Sequence, residues 1–333
     1  TRFNYNYKEK YLLEFNGRYD ATSRFITKRW QFYPGVSAGY VLSNEDFWKP
    51  VKDAVNFFKL RASYGQSGDQ ASLSLYPFYQ SMINVAPGAG NSITDNPNNW
   101  FFSNGRQAYV SAPGVVNPNI TWQKPVMIDY GFDAEFLSNR LSVSFDWYKR
   151  TMQDMIVASA PLPATFGTAA PTINAGEMQT KGFELTLGWK DQIGDFRYNV
   201  KALLSDYTGK VTKYPNPTQI LTDFYVGQNI GEIWGYTSSG LYANDQAAAK
   251  ALPASFWNST WKGGDVIYAD IDNSGRIDNG KNTVSESGDL SVIGNNTPRY
   301  SYGLNLDLAW KNFDFNAFIQ GVGKRDIWVN SNY

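Results

Sequence analysis

The residues of this chain whose types and spacing could do chemistry lie in one short acidic segment. Asp270, Asp272 and Ser274 alternate along it, a glycine follows, and Asp278 comes four residues after Ser274. A calcium loop places oxygen ligands at positions 1, 3, 5 and 9, a glycine at position 6 and a backbone carbonyl at position 7. The spacing therefore predicts a calcium site formed by Asp270, Asp272, Ser274, the carbonyl of Arg276, and Asp278.

Two alternatives to this site stay open. Position 12 is Lys281, where a bidentate carboxylate is expected, so Asp265, Glu286 or Asp289 would have to replace it by folding back. The segment could also be a turn of Asp, Asn, Ser and Gly residues, held by bonds from side chains to its own backbone. We expect no required cofactor, with Ca²⁺ as the one candidate.

The same carboxylates raise the question of catalysis, because a pair of acids can hydrolyse a glycosidic bond. They lie in a turn-like segment, without the apolar cleft that would raise the pKa of one acid. The chain has no histidine and no cysteine, which removes the commonest general base and every thiol nucleophile. We therefore expect that the protein is not an enzyme.

Aromatic residues in the long loops form a second candidate site. Exposed rings can stack on sugar faces or anchor a protein partner. They can equally pack on one another, because a long loop needs a small core of its own. The candidates for contact with substrate or partner are Trp100, Phe101, Phe102, Trp257 and Trp261.

The elements that must position these loops are strands. Apolar and polar residues alternate near 126–137, 141–147, 182–189, 196–204 and 302–310. Successive side chains of a strand point to opposite faces, so each segment has one apolar and one polar side. A membrane-spanning strand has about 9–11 residues, against about 5–6 in a globular sheet. The length of these segments and the aromatic residues that end their apolar faces favour membrane strands.

Tight turns alternate with longer connections along the chain. Short turns at one end and long loops at the other are typical of an outer-membrane barrel, with the long loops extracellular. The sequence predicts an all-β fold, a transmembrane antiparallel β-barrel of which about ten strands lie in this chain. A soluble β-sandwich is the alternative, but it has no reason to keep this parity. The long extracellular loops are expected at 67–125, 151–178 and 212–297.

The composition narrows the function further. Thirty basic residues balance thirty acidic ones, so no net charge favours nucleic acid. No apolar run approaches the roughly 18 residues of a membrane-spanning helix. The start, Thr1-Arg2-Phe3, has none of the features of a signal peptide. We expect residues 1–333 to be part of a longer protein.

Four stretches, in this order, resemble the SusC/RagA family of TonB-linked outer-membrane transporters. They are Ile120-Thr121-Trp122-Gln123-Lys124; Asn174-Ala175-Gly176-Glu177 running into Lys181-Gly182-Phe183-Glu184-Leu185; Gly227-Gln228-Asn229-Ile230-Gly231-Glu232; and the acidic segment with Thr297-Pro298-Arg299-Tyr300 after it. Each motif alone is weak, and the shared order across most of the chain gives the resemblance its strength.

The resemblance implies a barrel of about 22 strands in the outer membrane, filled by a plug domain that is not in this chain. It further implies import of oligosaccharides or peptides, powered by the TonB complex through parts absent here. A SusD-like surface lipoprotein would close over the mouth as a lid, and outer-membrane lipid would surround the barrel.

Two other functions remain as alternatives. The barrel could be a structural scaffold within a larger envelope complex, or an ordinary TonB-dependent receptor for siderophores or cobalamin. The acidic segment and the motif at 174–185 favour the SusC-like branch over the second. Within the strands, Leu187 is expected to face lipid, and its neighbour Thr186 the lumen.

Overall fold

The computed structural model describes residues 1–70, 77–80, 84–85, 101–102, 105–106, 109–110, 113–256 and 260–329. Ten strands form one sheet, and we number them along the chain. They are β1 (Arg2–Tyr7), β2 (Tyr11–Ala21), β3 (Trp30–Val41), β4 (Val55–Gln66), β5 (Lys124–Phe136), β6 (Leu141–Ala158), β7 (Thr172–Ile193), β8 (Phe196–Lys213), β9 (Arg299–Trp310) and β10 (Phe313–Lys324).

The ten strands follow one another in the sheet in the order in which they occur along the chain. Each is antiparallel to the next, from the β1–β2 pair to the β9–β10 pair. No strand crosses over another, so every connection joins neighbours and successive connections lie at opposite ends of the sheet. This is the up-and-down arrangement of a membrane barrel, and it confirms the predicted fold and its count of about ten strands.

The two ends of the sheet differ in the length of their connections. At one end, which we call the turn end, tight hairpins close with residues of positive φ, such as Ser138, Gly194 and Lys311. The opposite end, which we call the loop end, carries the long connections. The connection expected over 151–178 is shorter, because β6 and β7 continue into it. The observed loop-end connections are 22–29, 67–123, 159–171 and 214–298.

The connections contain short helices and short paired strands. The turn end has two 3₁₀ helices, Leu42–Asn44 and Asp46–Val51, and the loop end has a third, Ala164–Phe166. One short α-helix, Asp245–Ala248, begins after the N-cap Asn244. Short paired strands are Asn84–Val85 with Tyr109–Val110, Phe101–Phe102 with Gly105–Arg106, Glu232–Tyr236 with Leu290–Asn295, and Ser238–Leu241 with Val266–Tyr268. Among the described residues, no helix has the length and apolarity to cross a membrane.

The two faces of the sheet have different chemistry. Leu187 lies opposite Val143 on β6 and is 40% exposed, whereas its neighbour Thr186 lies opposite Ser144. Because alternate residues point to opposite faces, the first row is apolar and the second is polar. The apolar face is the outer, lipid-contacting surface and the polar face is the lumen wall.

Aromatic rings mark the margins of the apolar face. Near the turn end, Tyr11 stacks on Tyr40 with ring centroids 5.0 Å apart. Near the loop end, Tyr19 stacks on Trp30 at 5.2 Å. Rings with an apolar body and a polar edge are stable where lipid meets water, so the two pairs delimit the membrane-spanning part of these strands.

A small buried core lies under the loop end. Phe25, Tyr33, Ile120 and Trp122 are each at most 4% exposed. The ring of Trp122 lies edge-on to Phe25 and Tyr33, at 5.3 and 5.8 Å between centroids, and its Nε1 donates to the carbonyl of Arg29. This core packs the end of the 67–123 connection onto the 22–29 loop.

Candidate functional site

The lumen wall carries a cluster of charges at the centre of the sheet. Nη2 of Arg61 on β4 donates to Oδ1 of Asp133 on β5 at 3.1 Å and to Oδ2 of Asp146 on β6 at 3.0 Å. The hydroxyl of Ser144 donates to Asp133 at 2.8 Å. Glu184 on β7 lies directly opposite Asp146 in the register. One guanidinium thus joins three strands, and the surplus of carboxylates leaves this part of the wall acidic.

The acidic segment folds as a loop that uses its own carboxylates to hold its backbone. Asp270 accepts bonds from the N–H groups of Ser274 and Gly275, at 3.0 and 2.9 Å. Asp272 accepts from the N–H of Ser274 at 3.0 Å, and hydrogen bonds from Ser274 hold the pKa of Asp272 below its usual value. The Ser274 hydroxyl donates to the carbonyl of Arg276 at 3.0 Å. These are the bonds expected of an Asx-rich turn.

Asp289 joins the two arms of this loop. Its side chain is fully buried, and it accepts from the N–H of Ile271 at 2.6 Å and from that of Asp278 at 2.9 Å. Carboxylate oxygens of Asp270, Asp272 and Asp289 lie within 4.8 Å of one another. Asp289 is thus the one of three suggested replacement acids that folds back to the first two predicted ligands.

The other predicted ligands and replacements have different partners. Asp278 accepts from the N–H of Gly280 at 2.7 Å and forms an ion pair with Arg276. Glu286 pairs with Lys281 at 2.8 Å. Asp265 accepts from the N–H of Lys262 at 2.8 Å. The hard oxygen donors of Asp270, Asp272 and Asp289 suit Ca²⁺, and neighbouring carbonyls would have to complete its shell.

The aromatic candidates divide between described and undescribed parts of the chain. Trp261 packs near Tyr242 and Tyr268, with ring centroids 6.3 and 6.0 Å apart. Tyr268 in turn contacts Tyr236 and Phe256, at 5.8 and 5.4 Å. These five rings pack on one another within the loop. Contact of Trp261 with substrate or partner stays a prediction.

The remaining aromatic candidates allow no such description. Trp100 and Trp257 lie outside the described residues. The backbone of Phe101–Phe102 forms a two-residue strand with Gly105–Arg106, and the rings of the two phenylalanines also lie outside the described part. Their contact with substrate or partner stays a prediction.

Sequence reasoning did not identify what several of the quoted motifs do. The side chain of Asn174 exchanges bonds with the backbone of Thr121 and donates to the carbonyl of Asp154, all at 2.8–2.9 Å. A Cβ at Gly182 would come within 2.6 Å of the Tyr148 hydroxyl. Asn174 thus attaches the end of the 67–123 connection to the wall, and Gly182 leaves room for the Tyr148 side chain within it. A polar residue in an otherwise alternating strand was the only signal for Asn174.

Comparisons with known proteins agree with this architecture. A family model described as "TonB dependent receptor-like, beta-barrel" matches residues 1–325. The chain is 28% identical over 337 residues to TonB-dependent receptor P3 of Formosa agariphila, which covers 96% of this chain and 31% of that protein. It is 25% identical over 333 residues to TonB-dependent receptor SusC of Bacteroides thetaiotaomicron, covering 94% of this chain and 30% of that protein.

Solved structures show the same fold. The structure of the RagAB peptide transporter superimposes with a TM-score of 0.69 at 20% identity, over 96% of this chain and 32% of that one. The RagAB peptide importer in its "open-open" state gives a TM-score of 0.67 at 21% identity. The chain spans about a third of the length of these relatives, so the ten strands are part of a larger barrel.

Proposed function

We propose, from the premise that this chain belongs to the family of TonB-dependent receptor-like β-barrels, that the whole protein imports nutrients. A barrel of this family lies in the bacterial outer membrane, which confirms the predicted location. The observation that carries the proposal is the continuous polar face of the ten strands, with Arg61, Asp133 and Asp146 at its centre. Such a wall suits a water-filled or plugged lumen and would be costly against lipid.

The cargo we propose is an oligosaccharide or a peptide. One similar protein is named SusC, and the superimposed RagAB is described as a peptide transporter. The acidic wall and the loop-end aromatic rings suit polar cargo, since carboxylates bind donors and rings stack on sugars or peptide groups. Energy would come from the TonB complex through a plug that precedes this portion of the barrel.

The partner we propose is a SusD-like lipoprotein that covers the loop end. Support comes from the likeness to SusC and RagAB and from the size of the loop-end connections, of which 214–298 is the longest with a described fold. A structural scaffold or a siderophore or cobalamin receptor would need no such lid.

The test is a pull-down of the full-length protein, extracted from outer membranes in mild detergent, with mass spectrometry of what accompanies it. A stoichiometric surface lipoprotein is the expected result. Recovery of other envelope machinery in its place would replace import by the scaffold function. Deletion of the whole gene then distinguishes the two kinds of cargo. Growth should fail with glycans as the sole nutrient if the cargo is an oligosaccharide, and with peptides as the sole nutrient if it is a peptide.

Calcium binding at the acidic loop stays a prediction. The convergence of Asp270, Asp272 and Asp289 supports it, as does the burial of Asp289. Each carboxylate has about four lone-pair sites, so the oxygens that accept backbone N–H groups can also bind a cation. The ion would stabilise the loop; no step of import would pass through it.

A further inference from the structure

Two lysine side chains lie directly opposite each other on the outer face of the wall. Lys149 on β6 pairs in register with Lys181 on β7. The register has no shift over 141–152. Both lysines therefore share a face with Trp147 and Phe183, which lie two residues away on the same strands. This is the apolar, lipid-contacting side of the sheet.

This pair is unfavourable by itself. Side chains directly opposite on antiparallel strands have Cβ atoms about 4.5–5.5 Å apart, and like charges there destabilise the pairing. Among the described residues, neither ammonium group has a carboxylate or a hydrogen-bond partner. Asp206, opposite Phe183 on the same face, is already bound by both arms of the Arg299 guanidinium. The two ammonium groups are therefore available for an anion that the described residues do not supply.

On β6 and β7, the lysines also mark the height at which the apolar surface ends. On the turn-end side of them, the outward residues from Leu141 to Trp147 on β6 and from Phe183 to Trp189 on β7 are all apolar or aromatic. They are Leu141, Val143, Phe145 and Trp147, and Phe183, Leu185, Leu187 and Trp189. On the loop-end side, the next opposed pair is Thr151 and Gln179. With a rise of about 3.3 Å per residue and a tilt of about 40°, this apolar stretch spans roughly 20 Å of the membrane normal. The two ammonium groups therefore lie at headgroup level.

We propose that Lys149 and Lys181 together bind the phosphate group of an anionic lipid in the leaflet on the loop side. A phosphate between the two ammonium groups removes their repulsion and accepts charge-assisted hydrogen bonds from both. The lysine stems can lie along the rings of Trp147 and Phe183 while their charged ends reach the headgroups. Thr208, opposite Lys181 on β8, adds a hydroxyl donor in the same row.

The test uses the full-length protein, delipidated in detergent and titrated with a phosphorylated lipid A. The same lipid after enzymatic removal of its phosphates serves as the matched ligand, and native mass spectrometry counts the bound molecules. The wild type should retain the phosphorylated lipid. The double variant Lys149→Gln/Lys181→Gln should bind about 25-fold more weakly, or about fivefold per lysine.

The control variant is Arg150→Gln, which removes a positive charge from the next residue on the lumen face and should leave lipid binding unchanged. Equal retention of the two lipids by the wild type would overturn the proposal, as would unchanged affinity in the double variant. Full competition by millimolar inorganic phosphate would make this a site for free anions and would also overturn it. If the double variant does not assemble, the wild-type comparison of the two lipids decides alone.

Discussion

The wall of ten strands and the loop segment 214–298 are held together in different ways. In the wall, a continuous ladder of backbone bonds joins each strand to the next, and the side chains divide between lipid and lumen. In the loop segment, single buried polar side chains each bond two or more separate parts of the chain, and we call such a side chain a hub. Asn216 bonds the backbone of Ile220 and Phe224, and Asp289 bonds that of Ile271 and Asp278.

The two regions should therefore tolerate different substitutions. A change in the wall should matter according to the face on which it falls, because the backbone ladder does not depend on any one side chain. A change in the loop segment should matter according to whether it removes a hub, because the buried N–H groups there have no other partner to replace it.

The largest expected effect tests the wall. Leu187→Arg places a charge within the apolar stretch 183–189 of β7, and such a charge costs about 2–4 kcal/mol at the membrane midplane. Thr186→Arg places the same side chain one residue away on the lumen face, where water can solvate it. We expect Leu187→Arg to reduce assembly strongly and Thr186→Arg to reduce it little. Heat-modifiable migration of the full-length protein from outer membranes measures this.

Equal losses in the two variants would contradict the assignment of faces. A loss of assembly with Thr186→Arg alone would mean that Thr186 faces lipid and Leu187 the lumen.

The next effect tests a hub of the loop segment. Asp289→Ala leaves the buried N–H group of Asp278 and the partly buried N–H group of Ile271 without their acceptor, and a buried donor without an acceptor costs about 1–3 kcal/mol. Hydrogen exchange over residues 270–290 of the full-length protein should accelerate about tenfold to a hundredfold, because local opening becomes easier. Asp289→Asn keeps one acceptor oxygen and should have a smaller effect.

The matched control for this hub is Glu286→Gln. Glu286 is an exposed acid three residues away, paired with Lys281, and exposed pairs contribute at most about 1 kcal/mol. If Glu286→Gln loosened the loop as much as Asp289→Ala, general charge balance would explain the loop better than a hub.

The same difference between the wall and the loop segment explains which features could be predicted from the sequence. Alternation is local, so it predicted which segments form strands and the faces of Leu187 and Thr186. It failed where a bulge interrupts it: the register shifts between Met152 and Met155, and the segment 151–178 therefore resembled a loop although β6 and β7 continue through much of it.

In the loop segment, spacing identified the acidic residues but could not assign their partners. Asp278 has the spacing of a ligand and yet bonds Gly280 and Arg276. Asp289 lies well outside the motif and reaches it only because the paired strands Glu232–Tyr236 and Leu290–Asn295 bring the chain back. Such contacts depend on long-range folding, which no local pattern encodes.

Calcium gives a smaller expected effect on the loop segment. Loops of this kind outside cells bind Ca²⁺ with dissociation constants of about 10⁻⁴–10⁻³ M, so 1 mM Ca²⁺ would stabilise the loop by about 0.4–1.4 kcal/mol. Hydrogen exchange over residues 265–290 should slow when Ca²⁺ replaces EDTA. Asp272→Asn should abolish this difference, whereas Glu286→Gln should preserve it. Identical exchange with Ca²⁺ and with EDTA in the wild type would exclude a calcium function for this loop.

The smallest effect comes from the turn end, where a short connection also has a polar hub. Glu45 accepts from Lys10 Nζ at 2.8 Å and from the Tyr11 hydroxyl at 3.0 Å. The hydrogen bond from Lys10 is the main cause that lowers the pKa of Glu45 below its usual value. A lowered carboxyl pKa stabilises the folded turn above the unfolded pKa of about 4.3, and this contribution is lost as the pH falls through the folded value.

Hydrogen exchange over residues 42–54, corrected for intrinsic rates, should therefore show a looser turn at pH 3 than at pH 6. Glu45→Gln should remove most of this difference, because the variant has no charge to lose. The exposed Glu9 of the neighbouring hairpin provides the control, and Glu9→Gln should keep the wild-type response. An unchanged response in Glu45→Gln would mean that the turn end is held by its backbone alone, as the wall is, and that polar hubs are confined to the loop end.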